Sequence, residues 1–333
     1  MRAMVLEAPG PIDQDPLRLA ELADPAPGAR DIVVEVAVCG ICRTDLHVIE
    51  AELEPVRDRV VPGHQVVGRV VRRGAEARRF AEGDRVGVAW LHASCGACPY
   101  CLEGAENLCL DPVFTGWHVD GGYAERIRVP EAFAYAIPEV FSDADAAPLL
   151  CAGIIGYRAL RRSGIRPGGK LGLYGFGSSA HIALQVAQHR GCEVYVSTRD
   201  ERHRRLAREL GARWAGGADA APPVELDAAI LFAPVGHLVP PALRALRRGG
   251  TLACAGIYMT DIPGIDYDRE LFLERTLTSV TASTRADGEE LLAVASEIPI
   301  RPRTTRFRLE QANEALKRLK HDAIEGSGVL EIG

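Results

Sequence analysis

Residues 170–199, KLGLYGFGSSAHIALQVAQHRGCEVYVSTR, restrict the fold more than any other stretch of this chain. An apolar run at 171–174 meets Gly175-Phe-Gly177-Ser178-Ser179-Ala180. Ile182, Leu184, Val186 and Ala187 then mark a helix, and Glu193–Ser197 reads as a second strand. Strand, glycine-rich turn, helix and strand in this order form a dinucleotide-binding crossover. Gly175 permits the tight turn, and Gly177 lets the backbone approach a pyrophosphate. Ser178 and Ser179 open the helix, whose N-terminus favours anions. Ala180 stands where a small side chain is needed for helix–strand packing.

The end of the second strand bears on which dinucleotide is held. A carboxylate there binds the 2′-hydroxyl of NAD, whereas an arginine accommodates the 2′-phosphate of NADP. This strand ends Ser197-Thr198-Arg199, and Asp200 and Glu201 follow. Thr198 and Glu201 have capping-box spacing for the next helix, which accounts for the acids. The expectation is therefore NADP(H) in preference to NAD(H), with Ser197, Thr198 and Arg199 on the phosphate.

A length of 333 residues predicts about two domains. With 47% hydrophobic and 25% charged residues, the chain has material for a sizeable core. A net charge of −6 argues against nucleic acid as the main partner. No apolar run reaches membrane-spanning length and MRAMVLEAPG has no signal core, so a cytoplasmic protein off the membrane is expected. Residues 1–151 read as many short strands separated by glycine and proline, including 31–38, 68–71, 84–89 and 121–129. Residues 152–284 alternate strand and helix, with further buried strands at 228–232, 249–255 and 277–281. Residues 285–333 hold an amphipathic helix carrying Ala312, Leu316 and Leu319 and a last strand near 329–332, and are expected to return to the first domain.

Cys95, Cys98, Cys101 and Cys109 cluster within fifteen residues. Four close thiolates suit a tetrahedral structural zinc with no open position. Two disulfides are disfavoured in a reducing compartment, and an iron–sulfur cluster is the remaining alternative. A second, catalytic zinc needs about three protein ligands and one exchangeable position. Cys42, His64 and Cys151, each beside Gly, Pro or a turn, are the candidates. Taken singly, Cys151 fits a core thiol, His64 fits a turn residue, and Cys39 and Cys42 fit a redox pair, with Cys39 a rival ligand.

The quartet, the Gly-x-Gly-x-x-Ala crossover, Cys42-Arg-Thr44-Asp45-Leu-His47 and Pro62-Gly63-His64 occur together in an order that resembles the zinc-dependent alcohol dehydrogenases of the medium-chain dehydrogenase/reductase superfamily. The resemblance spans essentially the whole chain. It implies a partly open, GroES-like β-barrel catalytic domain and a doubly wound Rossmann cofactor domain. It implies two zincs per chain, with Cys42, preferred over Cys39, His64 and Cys151 on the catalytic one. Thr44 resembles the hydroxyl that bonds the substrate oxygen, His47 the relay histidine, and Asp45 the carboxylate that orients His64; Thr44-Asp45 also suits a helix N-cap. The implied activity is NADP(H)-linked hydride transfer between a primary alcohol or aldehyde and nicotinamide, in a homodimer or homotetramer. A polyol or secondary-alcohol dehydrogenase, or a non-catalytic NADPH-binding zinc sensor, are the alternatives. Trp90, Phe114 and Trp117 are candidates for the substrate pocket, with core packing as their competing role. Two departures stand out: Gln65 follows His64 where the family usually has Glu, and 326–329 lacks a basic residue often found there.

Overall fold

The computed structural model describes residues 1–298 and 300–333, which form two units: Met1–Cys151 with Ala282–Gly333, and Ala152–Thr281. The first unit opens with an antiparallel ribbon of β1 (Arg2–Leu6) and β2 (Leu17–Glu21). There follow β3 (Asp31–Ile41), α1 (Arg43–Ile49), β4 (Gln65–Arg73), β5 (Arg85–Val88) and β6 (Leu91–Ala93). Next come α2 (Pro99–Leu102), β7 (Val113–Phe114), β8 (Arg126–Pro130), β9 (Ala134–Ala136) and α3 (Asp143–Ala146). The expected strand at 121–129 is thus confined to β8: Gly121, Gly122 and Tyr123 instead hydrogen-bond residues 61–63, a use of the backbone that alternation does not reveal.

The second unit holds α4 (Ala152–Ser163), β10 (Lys170–Tyr174), α5 (Ser178–His189), β11 (Glu193–Ser197), α6 (Glu201–Glu209) and β12 (Trp214–Gly216). It continues with β13 (Leu226–Leu231), α7 (Val239–Arg244), β14 (Leu246–Cys254) and β15 (Thr276–Ser279). The strands form one parallel sheet in the order β12-β11-β10-β13-β14-β15, the doubly wound order in which the chain reverses beside the first strand. Leu171, Leu173 and Ala228–Leu231 are buried, as strands covered on both faces must be. α5 buries Ala180, Ile182, Ala183, Leu184, Val186 and Ala187. Its neighbour α4 approaches through Gly156, where a Cβ would stand 2.9 Å from the Ser179 carbonyl oxygen.

α8 (Arg285–Glu297), β16 (Thr304–Arg308), α9 (Ala312–Lys320) and β17 (Ser327–Glu331) complete the first unit. α8 and β16 were not anticipated: α8 has mostly small or acidic residues facing outward, and β16 is a basic edge strand. Its seven-stranded sheet runs β16-β17-β3-β4-β5-β9, with β8 also on β3. β3 is its spine because eleven residues suffice to pair β4 along one edge and β8 then β17 along the other. Among the described residues no ladder joins β9 to β16, so the sheet stays open.

Candidate functional site

Antiparallel pairing sets Gly40 at the end of β3 opposite Gln65 at the start of β4. The residues just beyond these ends, Cys42 and His64, therefore lie side by side. Cys42 is extended (φ −145°, ψ 177°) and caps α1: its Sγ accepts from the Thr44 N–H at 3.3 Å, and its own N–H donates to Asp45 Oδ2 at 2.8 Å. The helix cap is thus Cys42, with Asp45 as its reciprocal partner, rather than Thr44-Asp45. His64 is fully buried. Its Nδ1–H donates to Asp45 Oδ1 at 3.0 Å, so the position a metal would take from a proton is Nε2, 3.2 Å from Cys42 Sγ. Cys151 ends the turn at Ala147–Leu150, and its Sγ joins these two so that all three ligand atoms lie within 4.8 Å of one another. Cys39 stays in the core, its thiol directed at the Gly40 carbonyl at 3.5 Å.

The electrostatics of this triplet call for a cation. The Cys151 thiol donates to Cys42 and, with the His64 charge, pulls the Cys42 thiol well below its usual range. The same bond and burial push Cys151 up. Burial opposes charge on His64, yet Cys42 and Asp45 outweigh it and hold the imidazolium up to about 10. A buried imidazole that retains a proton between a thiolate and a carboxylate marks a place where positive charge is stabilised. Two sulfurs and one nitrogen suit zinc with one position left open. The S···N edge of such a tetrahedron is about 3.6 Å, close to the separation of Cys42 and His64. Gln65, next to His64, is buried and its Nε2 makes no hydrogen bond among the described residues.

Cys95, Cys98, Cys101 and Cys109 form a second cluster, with Cys95 and Cys101 sulfurs 3.9 Å apart, against about 3.8 Å for the S···S edge of a zinc tetrathiolate. Backbone N–H groups already point at these sulfurs: Cys98 N–H at Cys95, and Cys95 and Asp111 N–H at Cys109. The N–H groups of Leu110 and Cys101 bring the Cys98 thiol down to about 6. The lobe is fastened to α8 by Arg285, whose Nε donates to Glu106 at 2.8 Å while its guanidinium covers the Phe133 ring at 4.6 Å.

Thr44 is buried on the first turn of α1, and His47 follows one turn later with its Nδ1 against the Glu52 carboxylate. Trp90 and the His64 ring meet in a T-shaped contact at 4.9 Å, and Trp90 stacks on Phe114 at 4.9 Å and Trp117 at 6.2 Å. His118 packs on the Trp117 ring at 4.2 Å. Sequence reasoning did not single out Glu52, His118 or Tyr123, whose phenol donates to Asp45; the double glycine before Tyr123 was the available signal.

In the second unit Gly175 turns at φ +88°, where a Cβ would stand 2.8 Å from the Ala233 nitrogen. Gly177 caps α5, and a Cβ there would meet nothing within 4 Å, so the backbone is uncovered on that side. That fits a pyrophosphate approaching the backbone. Ser178 and Ser179 form the first turn, and Ala180 is fully buried. At the end of β11, Ser197 and Thr198 are buried and Arg199 is exposed. The cap of α6 is Asp200, which accepts from Arg202 N–H at 2.8 Å, so the Thr198–Glu201 capping box does not form. A side-chain bond from Arg202 holds Asp200 far below the usual carboxylate range. Arg204 donates to the carbonyls of Thr198 and Arg199, at 2.8 and 2.9 Å, and steadies the loop.

Residues 28–139 match the alcohol dehydrogenase GroES-like domain, and residues 180–297 match the zinc-binding dehydrogenase domain. The chain is 52% identical over 337 aligned positions to the probable alcohol dehydrogenase AdhA of Mycobacterium tuberculosis (strain CDC 1551 / Oshkosh), with 100% of this chain and 97% of the relative covered. It is 35% identical to an alcohol dehydrogenase of Geobacillus stearothermophilus over 95% of this chain and 96% of the relative. The crystal structure of CAD from Helicobacter pylori complexed with NADP(H) superposes with a TM-score of 0.89 at 26% identity, covering 99% of each chain. No helix among the described residues is long and apolar enough to cross a membrane. With a parallel sheet in doubly wound order, a sulfur–nitrogen triplet, a cysteine quartet and these relatives, the chain belongs to the zinc-dependent medium-chain dehydrogenase/reductase family and is an oxidoreductase of the alcohol dehydrogenase type.

Proposed function

We propose that this chain is an NADP(H)-linked alcohol dehydrogenase or aldehyde reductase holding two zincs, acting on primary alcohols and aldehydes. The observation that carries the reading is the convergence of Cys42, His64 and Cys151, with Asp45 fixing the His64 tautomer. These three residues hold the catalytic zinc, and the quartet holds a zinc that folds its lobe. Zinc, when bound, supplies a Lewis acid that lowers the pKa of an alcohol oxygen. Thr44 offers its hydroxyl to that oxygen. The proton released passes toward His47, which lies three residues on and so on the same face of α1. Glu52, against His47 Nδ1, supports the ring at the exposed end of that path.

Trp90, Phe114 and Trp117 give the triplet an apolar wall. Such a wall leaves the extra hydroxyls of a polyol without partners, a penalty that favours simple alcohols and aldehydes. Gly175, Gly177 and the first turn of α5 take the pyrophosphate. Arg199, with Ser197 and Thr198, takes the 2′-phosphate, because Asp200 is committed to the α6 cap and to Arg202. Cysteines that pair in no disulfide among the described residues suit a reducing compartment, and we place the protein in the cytoplasm as a homodimer or homotetramer. Replacing Cys151 by Ser tests the reading. Turnover is expected to vanish while the quartet zinc stays bound; surviving activity refutes the assignment.

A further inference from the structure

We propose that Tyr123 is a positioning residue of the catalytic metal site, acting through Asp45 on His64. The inference rests on reading Cys42, His64 and Cys151 as a zinc site. Three donors converge on the Asp45 carboxylate. Oδ1 accepts from His64 Nδ1 at 3.0 Å, while Oδ2 accepts from Cys42 N–H at 2.8 Å and from the Tyr123 phenol at 3.0 Å. One of these bonds sets the His64 ring, and the other two set the carboxylate that does so. Without the phenol, the only hold on the Asp45 carboxylate among the described residues, besides His64 itself, is the N–H of Cys42, three residues away in the same cap.

The phenol comes from a different part of the chain, and the backbone brings it there deliberately close. Gly121 N–H donates to the Val61 carbonyl, Gly122 N–H to Gly63 and Tyr123 N–H to Pro62, at 2.7, 2.9 and 2.9 Å. Tyr123 is thus fastened to the three residues that lead into His64, and β1 holds it from behind through Met4 N–H on its carbonyl at 2.8 Å. The fit leaves no room for other side chains. Gly63 has φ +98°, and a Cβ there would stand 2.4 Å from the Tyr123 ring. A Cβ on Gly121 would meet the Gly63 oxygen at 2.1 Å, and one on Gly122 the Val66 side chain at 2.1 Å. Phenylalanine would fill the same fully buried volume. The hydroxyl therefore has a purpose other than packing, since a buried phenol costs free energy unless its hydrogen bond is made. Its bond anchors a carboxylate two steps from the metal, the kind of outer partner whose loss typically weakens metal binding by about 10- to 100-fold.

The test is Tyr123→Phe in the full-length zinc-loaded protein. Release of zinc to a chelating dye is followed for both sites, together with the visible spectrum after cobalt replaces the triplet zinc. The quartet is the internal control. Tyr123→Phe is expected to loosen the triplet metal by about tenfold, the lower end of that range because Tyr123 acts through Asp45. It should alter the cobalt bands and leave quartet release unchanged. In an Asp45→Asn background the same change should add little, which separates positioning from general destabilisation. Triplet retention within twofold of the parent with unaltered cobalt bands, equal loosening of both sites, or fully additive effects in the double variant would each overturn the proposal. Parent protein that retains only the quartet zinc refutes the metal-site reading itself, before any substitution is made, and removes this inference with it.

Discussion

Asp45→Asn changes a single atom, and its consequence follows from the direction of every hydrogen bond at that side chain. All three groups facing Asp45 are donors: His64 Nδ1, Cys42 N–H and the Tyr123 hydroxyl. A carboxylate accepts from all of them, but an amide has one accepting oxygen. With that oxygen toward Cys42 and Tyr123, the new NH2 faces His64 Nδ1 and forces the proton to Nε2, the atom 3.2 Å from Cys42 Sγ. The imidazole then has no lone pair for a metal. With the amide flipped, the NH2 opposes the Cys42 N–H in a site that is almost fully buried, and an unsatisfied donor costs about 1–3 kcal/mol. Either way triplet metal affinity falls by about 10- to 100-fold, or about 1.4–2.7 kcal/mol. Competition with a zinc chelator measures it, with the quartet zinc as reference. Unchanged triplet affinity would show that His64 takes its orientation from elsewhere.

Further outcomes follow from other sites. His92 in β6 is buried, its Nδ1 has no partner among the described residues, and burial brings its imidazole down to about 4 from the usual 6.5. The unfolded chain takes up this proton first, so the contribution is intact above pH 6.5 and is lost as pH falls toward 4, by about 2 kcal/mol between pH 7 and 5. His92→Leu removes the loss, and its stability gap over the parent in denaturant unfolding should widen by that amount; a constant gap contradicts it. Cys98→Ser should lower zinc content by one per chain and reduce Tm, while retained quartet zinc would mean that three thiolates suffice. Arg199→Asp should raise KM for NADPH far more than for NADH, and equal effects would remove Arg199 from the 2′-phosphate.

The crossover of the cofactor unit was readable closely: its first strand is an apolar run and its turn is marked by glycines, so β11 falls on Glu193–Ser197 as expected. The short β12 and α7 were not anticipated, and β13, β14 and β15 lie one to three residues from the expected spans. Capping was less legible: Thr198 and Asp200 both suit a helix start, and only the local backbone favours Asp200. The triplet is spread over 110 positions, and spacing along the chain says nothing of its proximity. The register of β3 against β4 brings Cys42 to His64, and the same register leaves Cys39 inside the strand, facing the core. Tyr123 escaped notice because its partners lie in three other segments. Gly121 and Gly122, which admit it, read as the start of a strand rather than as clearance for a ring.

The most direct test of the account is zinc content and turnover measured on one purified sample, with primary alcohols and aldehydes offered alongside NADPH and NADH. The account predicts two zincs per chain and turnover of simple aldehydes linked to NADPH. A single zinc with no turnover would contradict it, for then Cys42, His64 and Cys151 would not form a working site.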